Sequence, residues 1–193
     1  MSDTSIHDSA YSWLRLLVTL AIGCVANVGM WAVVVIMPAV EAEFQAGRAE
    51  ASLPYTLTMI GFALGNLFIG RIVDRFGATL ALIAAALLIA ASYLLSTLAP
   101  NIVVLSLAQL AVGLGTGVGF GPLIADISHW FLKRRGIAVA LVASGNYLSG
   151  AIWPTLLADI LAEAGWRQVY LTLALITVVT LIPLSLLLRR RVP

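Results

Sequence analysis

The residues able to do chemistry inside this chain's apolar runs are few, and they are amides, hydroxyls and aromatic rings. Asn27 and Trp31 share a helical face of the first run, and Asn66 lies in the second. Gln109, Thr116 and Phe120 share a face of the fourth, and the fifth carries Ser144, Asn146, Tyr147, Ser149 and Trp153. A polar group in hydrocarbon is costly, so each of these reads either as an interhelical hydrogen bond or as a contact to a bound solute. Taken together, Asn27, Trp31, Thr116, Phe120, Asn146, Tyr147 and Trp153 suggest one cavity shared by the first, fourth and fifth runs. Such a set can hold a small solute through hydrogen bonds and ring contacts. No Lys, Arg or His falls at the centre of a run, and Asp126 and Asp159 lie near run ends. The sequence therefore offers no buried cation to replace the hydration of an anion.

Covalent chemistry is poorly served. A six-helix intramembrane serine protease needs a Gly-x-Ser nucleophile and a histidine at membrane depth. "VASG" at 142–145 lacks the first glycine, and His7 and His129 fall in the tail and in a connection. There is no His/Glu metal spacing, and Cys24 is the sole cysteine, which excludes an internal disulfide and a cysteine-based metal site. The reading is of a protein that is not an enzyme and needs no cofactor. The stretch "LAVGLGTGVGFGPLIAD" puts glycine at every second position from Gly113 to Gly121, but no soluble strand precedes it, as a dinucleotide loop would require. On a helix Gly113, Gly117 and Gly121 align, with Gly115 and Gly119 beside them. Gly61 and Gly65 repeat the spacing in the second run. Faces of this kind serve close helix packing or a surface over which helices slide.

The elements that must position these residues follow from hydropathy. The chain has 193 residues, 61% hydrophobic and 10% charged, with mean hydropathy +1.03. A soluble domain carries about 25% charged residues, so the class is integral membrane protein. About 20 apolar residues cross the hydrocarbon core, and six segments qualify: 14–37, 52–69, 79–98, 102–125, 137–161 and 169–188. The first is too long for a signal-peptide core of about 7–15 residues, and Asp3 and Asp8 spoil a basic leader, so it reads as a retained span. No stretch has the alternation of a barrel strand. The expected fold is all-α, a six-helix membrane bundle over 14–188, with a tail before it (1–13) and a basic tail after it (189–193). Of the eleven basic residues, nine (Arg15, Arg71, Arg75, Lys133, Arg134, Arg135, Arg189, Arg190, Arg191) fall on one side and two (Arg48, Arg167) on the other. The excess places both termini in the cytoplasm, and a bacterial inner membrane is the expected location. Scattered between apolar runs, these charges set topology and offer no stripe for nucleic acid. Trp13, Trp130 and Trp166 fall near the expected interfaces.

One connection carries more than topology needs. "GRIVDRFGA" (70–78) sets Arg71, Asp74 and Arg75 between the second and third runs. At this stretch the chain resembles the major facilitator superfamily, whose signature between helices two and three runs Gly-x-x-x-Asp-Arg-x-Gly-Arg-Lys/Arg. Gly70, Asp74, Arg75 and Gly77 match, while Ala78 and Thr79 stand where the family has its basic pair. The segments "FQAGRAEASLPYTL", "GVGFGPLIADISHWFLKRRGIAVALVASGNYLSGAIWP" and "EAGWRQVY" resemble the monocarboxylate-porter and oxalate/formate-exchanger branch. Gln109 stands where drug-exporting relatives place an arginine four residues before Gly113. Their fifth-helix proline-and-glycine motif is only loosely echoed, by Gly145, Gly150 and Pro154, so the resemblance runs against the drug-exporting relatives.

The resemblance implies a twelve-helix fold of two six-helix halves, of which this sequence is similar to the amino-terminal one. It implies secondary transport of a small organic solute, of monocarboxylate kind, by alternating access. It further implies that Asp74 caps a helix N-terminus in a second six-helix unit and that Arg75 pairs with Asp126. Gly70, Arg71, Asp74, Arg75, Gly77 and Asp126 would then form a cytoplasmic switch; otherwise these charges only set topology. The implied partners are membrane lipid, a second six-helix unit (another copy or a separate chain), the solute and a coupling proton. The alternative is a half with no independent transport, or a scaffold that binds a full-length relative.

Overall fold

The computed structural model describes residues 7–189, so residues 1–6 and 190–193 of the expected tails lie outside the described residues. Among the described residues every regular element is helical. The elements are α1 (Ala10–Ala26), α2 (Val28–Phe44), α3 (Arg48–Ala51), α4 (Leu53–Phe76), α5 (Ala78–Thr97), α6 (Ile102–Thr116), α7 (Gly121–Trp130) and α8 (Arg135–Leu187). Five stretches are long and apolar enough to cross a membrane: Ala10–Phe44, Arg48–Val73, Ala78–Thr97, Ile102–Trp130 and Arg135–Leu187. The last has 53 residues, about 80 Å at ~1.5 Å per residue, against a core of about 30 Å. Gly165 divides it. Its φ of 82° and ψ of 171° lie outside the helical region, in a conformation that only glycine enters without strain. Residues 135–164 and 166–187 are therefore separate crossings, and the bundle has six.

Local chemistry fixes the ends. The Ser9 hydroxyl accepts from the Ser12 N–H at 3.2 Å to open α1, and the Asn101 side-chain Oδ1 accepts from the Val104 N–H at 3.0 Å to open α6. Each satisfies one of the four N–H groups that a helix start leaves unpaired. Gln45 closes α2 in the left-handed conformation at φ 49°.

The connections are shorter than the charge pattern suggests. "GRIVDRFGA" reads as a nine-residue connection, yet α4 continues through Phe76 and α5 starts at Ala78, leaving Gly77 alone between them. Charged residues at a membrane edge can stay helical because their side chains reach water, so charge alone does not end a helix. A positive φ does: Gly77 sits at φ 90° and its N–H returns to the Val73 carbonyl at 2.7 Å. Likewise "DISHWFLKRRG" is helical as far as Trp130, and "AEAGWRQ" interrupts α8 only at Gly165.

The tightest seam joins α4 to α6. A Cβ on Gly61 would fall on the Leu110 carbonyl, on Gly65 on that of Leu114, and on Gly113 on that of Thr58. On Gly117 it would lie 2.6 Å from the Asn66 amide nitrogen. The aligned glycines let two backbones meet. Behind the seam the core is polar in places. Gln109 donates to the Ser96 hydroxyl at 3.1 Å and accepts from Thr58 at 3.4 Å, beside the stacked, fully buried rings of Tyr93 and Tyr170, 5.5 Å apart.

Two of the tryptophans expected at lipid interfaces are inside the protein. Trp130 and Trp166 are each 3% exposed. Trp130 packs on Tyr11 at 5.4 Å, and Trp166 lies against Phe44 and Tyr170. Both rings sit beneath an arginine, which takes up the role assigned to the headgroup region.

Candidate functional site

On the basic face, a pocket of about 640 Å³ opens between the end of α4, the start of α5, α7 and the end of α8. Its wall includes Gly70, Gly77, Thr79, Asp126, His129 and Arg189, and Arg15 lines it from α1. Arg15 is 3% exposed and holds Asp126 with one edge of its guanidinium. Nε donates to Oδ2 at 3.1 Å, and one terminal nitrogen donates to Oδ1 and Oδ2 at 3.0 and 2.8 Å. The other terminal nitrogen donates to the Leu188 carbonyl at 3.2 Å, and the group lies 4.5 Å from the Trp130 ring centroid. A two-pronged arginine–carboxylate pair of this kind is stronger and more directional than a lysine pair.

This corrects one expectation. Asp126 pairs with Arg15, whereas Arg75 is exposed and lies 5.3 Å over the ring of Phe76. The reason is position. Arg15, on the second turn of α1, is packed against α7, while Arg75 stays exposed over Phe76 at the end of α4. Arg71 is also exposed, and a Cβ on Gly70 would meet nothing within 4 Å. Asp74 lies in the last turn of α4, but its side chain falls outside what the structure describes. Of the expected switch residues, Arg71 and Arg75 are thus exposed near the end of α4, while Asp126 on α7 is partly buried and held by Arg15, a residue not expected in the switch.

The seven cavity candidates are also divided. Trp31 Nε1 donates to the Asn146 carbonyl at 3.2 Å and its ring lies over Gly150, while Trp153 Nε1 donates to the Cys24 carbonyl at 3.0 Å. Both indoles tie the first crossing to the fifth. Thr116 turns back onto the Gly113 carbonyl at 2.8 Å, and Phe120 meets Phe62 with ring centroids 6.0 Å apart. Asn27 is fully buried and donates to the Gly23 and Gly119 carbonyls at 2.7 and 3.3 Å. Tyr147 is the exception. It is 72% exposed on α8, on a face that also carries Ala151 and Thr155.

A second arginine knot lies on the opposite face. Arg167 donates to both oxygens of Glu43 at 2.5 and 2.7 Å, to the Thr97 carbonyl at 3.0 Å and to the Ala99 carbonyl at 3.2 Å. Trp166 donates to Glu43 at 2.6 Å and lies 4.2 Å beneath the guanidinium. On the basic face, the Asp8 carboxylate accepts from the N–H groups of Leu132, Lys133 and Arg134 at 3.1, 3.0 and 3.2 Å. Sequence reasoning missed these partners, which lie from 68 to 126 residues apart in the chain. The available signal was a charge placed within a turn of an aromatic ring at a run end, as in Trp166–Arg167.

The sequence profile of the Major Facilitator Superfamily matches residues 19–193. The chain is 32% identical over 123 residues to the MFS-type transporter pytF of Aspergillus terreus, covering 62% of this chain and 42% of that protein. It is 29% identical over 171 residues to monocarboxylate transporter 6 of Homo sapiens, covering 85% and 33%. It is 25% identical over 141 residues to the probable sulfoacetate transporter SauU of Cupriavidus necator, covering 72% and 33%. Its fold matches the inward-facing, occupied crystal structure of a bacterial homologue of the human lysosomal transporter Spinster. There the TM-score is 0.80 at 18% identity, over 96% of this chain and 46% of that one. The matches therefore span less than half the length of each of these proteins.

Proposed function

The chain belongs to the Major Facilitator Superfamily, and on that premise we propose that it acts as one half of a secondary transporter. Its six crossings would rock against a second six-helix unit and expose a midplane site to each side in turn. The observation that carries this reading is an imbalance of burial. Only 17% of the apolar window of Arg48–Val73 is covered inside the bundle, against 61% for Ile102–Trp130. The second crossing, which ends at the expected switch residues of α4, and the Tyr147 face of the fifth thus remain open. A second unit placed there would meet Gly70, Arg71, Asp74, Arg75 and Gly77 on the cytoplasmic side and Tyr147 at mid-depth.

The solute is a small organic anion. The branch resemblance supports this, as do the names of two relatives, one a monocarboxylate transporter and one a probable sulfoacetate transporter. Among the described residues Arg15 is the deeply buried cation, and Asp126 already neutralises it. The charge that receives the anion therefore comes from the second unit, together with the group that carries a coupling proton. The basic face is cytoplasmic by its excess of Lys and Arg, in the inner membrane of a bacterium.

The test is the mass of the protein extracted in a mild detergent, followed by uptake of a labelled monocarboxylate into liposomes. A particle that pairs this chain with a different six-helix chain and takes up the anion supports the proposal. Uptake by a pair of identical copies, which bring only a second Arg15 already neutralised by Asp126, overturns the assignment of the receiving charge to the second unit. A lone six-helix particle with no uptake overturns it in favour of a half without transport of its own.

A further inference from the structure

The fourth crossing is interrupted where two asparagines from other helices converge on it. α6 ends at Thr116, Gly117–Gly119 forms a 3-10 turn, and Phe120 leaves the helical region at φ −126° and ψ −88° before α7 begins at Gly121. A break leaves carbonyls at the end of one helix and N–H groups at the start of the next without intrahelical partners. At membrane depth the protein must supply those partners itself. Here it supplies one from each side. Asn27, at the junction of α1 and α2, donates Nδ2 to the Gly119 carbonyl at 3.3 Å. Asn66, within α4, accepts from the Gly121 N–H through Oδ1 at 3.0 Å, while its Nδ2 is anchored on the Phe62 carbonyl at 2.9 Å. One amide takes a freed carbonyl and the other a freed N–H, two residues apart. The approach depends on missing side chains. A Cβ on Gly119 would lie 2.7 Å from that of Ala26, and one on Gly121 would lie 2.8 Å from Asn66 Oδ1.

We propose that residues 118–120, just past the last seam glycine, form a hinge between α6 and α7, and that Asn27 and Asn66 are its pins. α6 is fixed to α4 by the glycine seam, whereas α7 carries Asp126 and Trp130 and through them Arg15 and the Leu188 end of α8. A bend at the break moves the basic-side mouth of the bundle and leaves the seam packed. Asn27 keeps a buried Oδ1 that has no hydrogen-bond partner, and a buried polar atom of this kind asks for an explanation. In the bent state it has an acceptor free for the rearranged backbone of Gly119 and Phe120. Asn27 is thereby a positioning residue for the backbone of the fourth crossing, in place of the solute contact expected of it. The hinge stands whether or not the chain moves a solute, so its test uses no transport.

Hydrogen exchange of the protein in nanodiscs reads the pins directly. Asn66→Leu removes the acceptor at nearly constant volume. It should raise exchange at Gly121 by about tenfold, the loss of one hydrogen bond, while Ala108 and Val112 in α6 stay at wild-type rates. Asn66→Asp keeps the acceptor and should leave Gly121 protected. In a Cys24→Ser background, spin labels at Leu80→Cys on α5 and His129→Cys on α7 report the hinge itself. Asn27→Ala should broaden their distance distribution. Unchanged exchange at Gly121 in a folded Asn66→Leu, or an unchanged distance distribution in Asn27→Ala, overturns the hinge. So does a rise spread equally over α6. If Asn66→Leu does not fold, the Asn27→Ala distances decide.

Discussion

Arg15 and Asp126, 111 residues apart in the chain, are joined by three hydrogen bonds of 2.8–3.1 Å at the floor of the basic-face pocket. With Leu188 and Trp130 they tie the start of the first crossing to the ends of the fourth and sixth. The pair is internal to this bundle. On the proposed function, a contact with a second unit falls to other residues, and Arg71 and Arg75 are exposed near the end of α4.

Removing one member of a buried pair leaves the other charge uncompensated, at a cost of about 3–5 kcal/mol, whereas replacing both with apolar groups is often neutral. Arg15→Met should therefore lower the thermal stability of the detergent-solubilised protein sharply, and Arg15→Met with Asp126→Leu should recover most of it. Arg75→Met, at an exposed position, should stay within about 0.5 kcal/mol of the parent. A double variant as unstable as the single one would mean that Arg15 is held by something other than Asp126.

Gly113 of the packing face and Gly70 of the α4-end signature should behave in opposite ways. A Cβ on Gly113 falls on the Thr58 backbone, while a Cβ on Gly70 meets nothing within 4 Å. Gly113→Ala should cost about 1–3 kcal/mol as overpacking, because backbone cannot step aside as a flexible side chain can. Gly70→Ala should be neutral or stabilising by up to about 1 kcal/mol, since alanine restricts the unfolded chain and suits a helix. Thermal unfolding followed by circular dichroism separates the two. Equal effects would place the seam elsewhere.

The crossings are legible in the sequence because each is a run of about 20 apolar residues, and hydrocarbon admits few other readings of such a run. The glycine spacing at Gly61, Gly65, Gly113 and Gly117 likewise announces a close approach. Partners are not legible. Arg15 looks like a topology charge, and only the crossing of α1 and α7 turns it toward Asp126. Asn27 and Asn66 look like any intramembrane amides, because the break they serve is a property of backbone that glycine and proline permit but do not impose. The indoles of Trp31 and Trp153 promise a cavity by type, yet both N–H groups are used on neighbouring carbonyls. Tyr147 keeps its exposure because none of the described residues covers its face of α8.

Tyr147 gives a direct test of that open face. At 72% exposure it makes no packing contribution that a phenylalanine would lose, so Tyr147→Phe should leave stability unchanged. If a second unit and a solute meet it, the same change should weaken solute affinity by about tenfold, the worth of one hydrogen bond. Binding measured by calorimetry on the assembled particle reads this without a transport assay. Unchanged affinity places the solute away from the Tyr147 hydroxyl.

The Asp8 staple should show a pH dependence of its own. The N–H of Lys133 is the leading cause that holds the Asp8 carboxyl below the ordinary aspartate range. The N–H groups of Leu132 and Arg134 and the charge of Arg134 assist, and desolvation works against them. A depressed folded value means that the carboxylate's contribution is present above the ordinary aspartate pKa of about 3.9 and is lost as pH falls through the lower folded value. At neutral pH the tail should be docked on the α7–α8 connection, and it should release in acid below about pH 4. Exchange of the Lys133 amide between pH 3 and 7, corrected for intrinsic rates, follows this. Asp8→Asn, which keeps a carbonyl oxygen but no titrating charge, should abolish the pH dependence and leave a weaker, constant protection. A Lys133 amide whose protection varies with pH in the asparagine variant as it does in the parent would show that another group titrates there, since Asp8 is the carboxylate that the three N–H groups share.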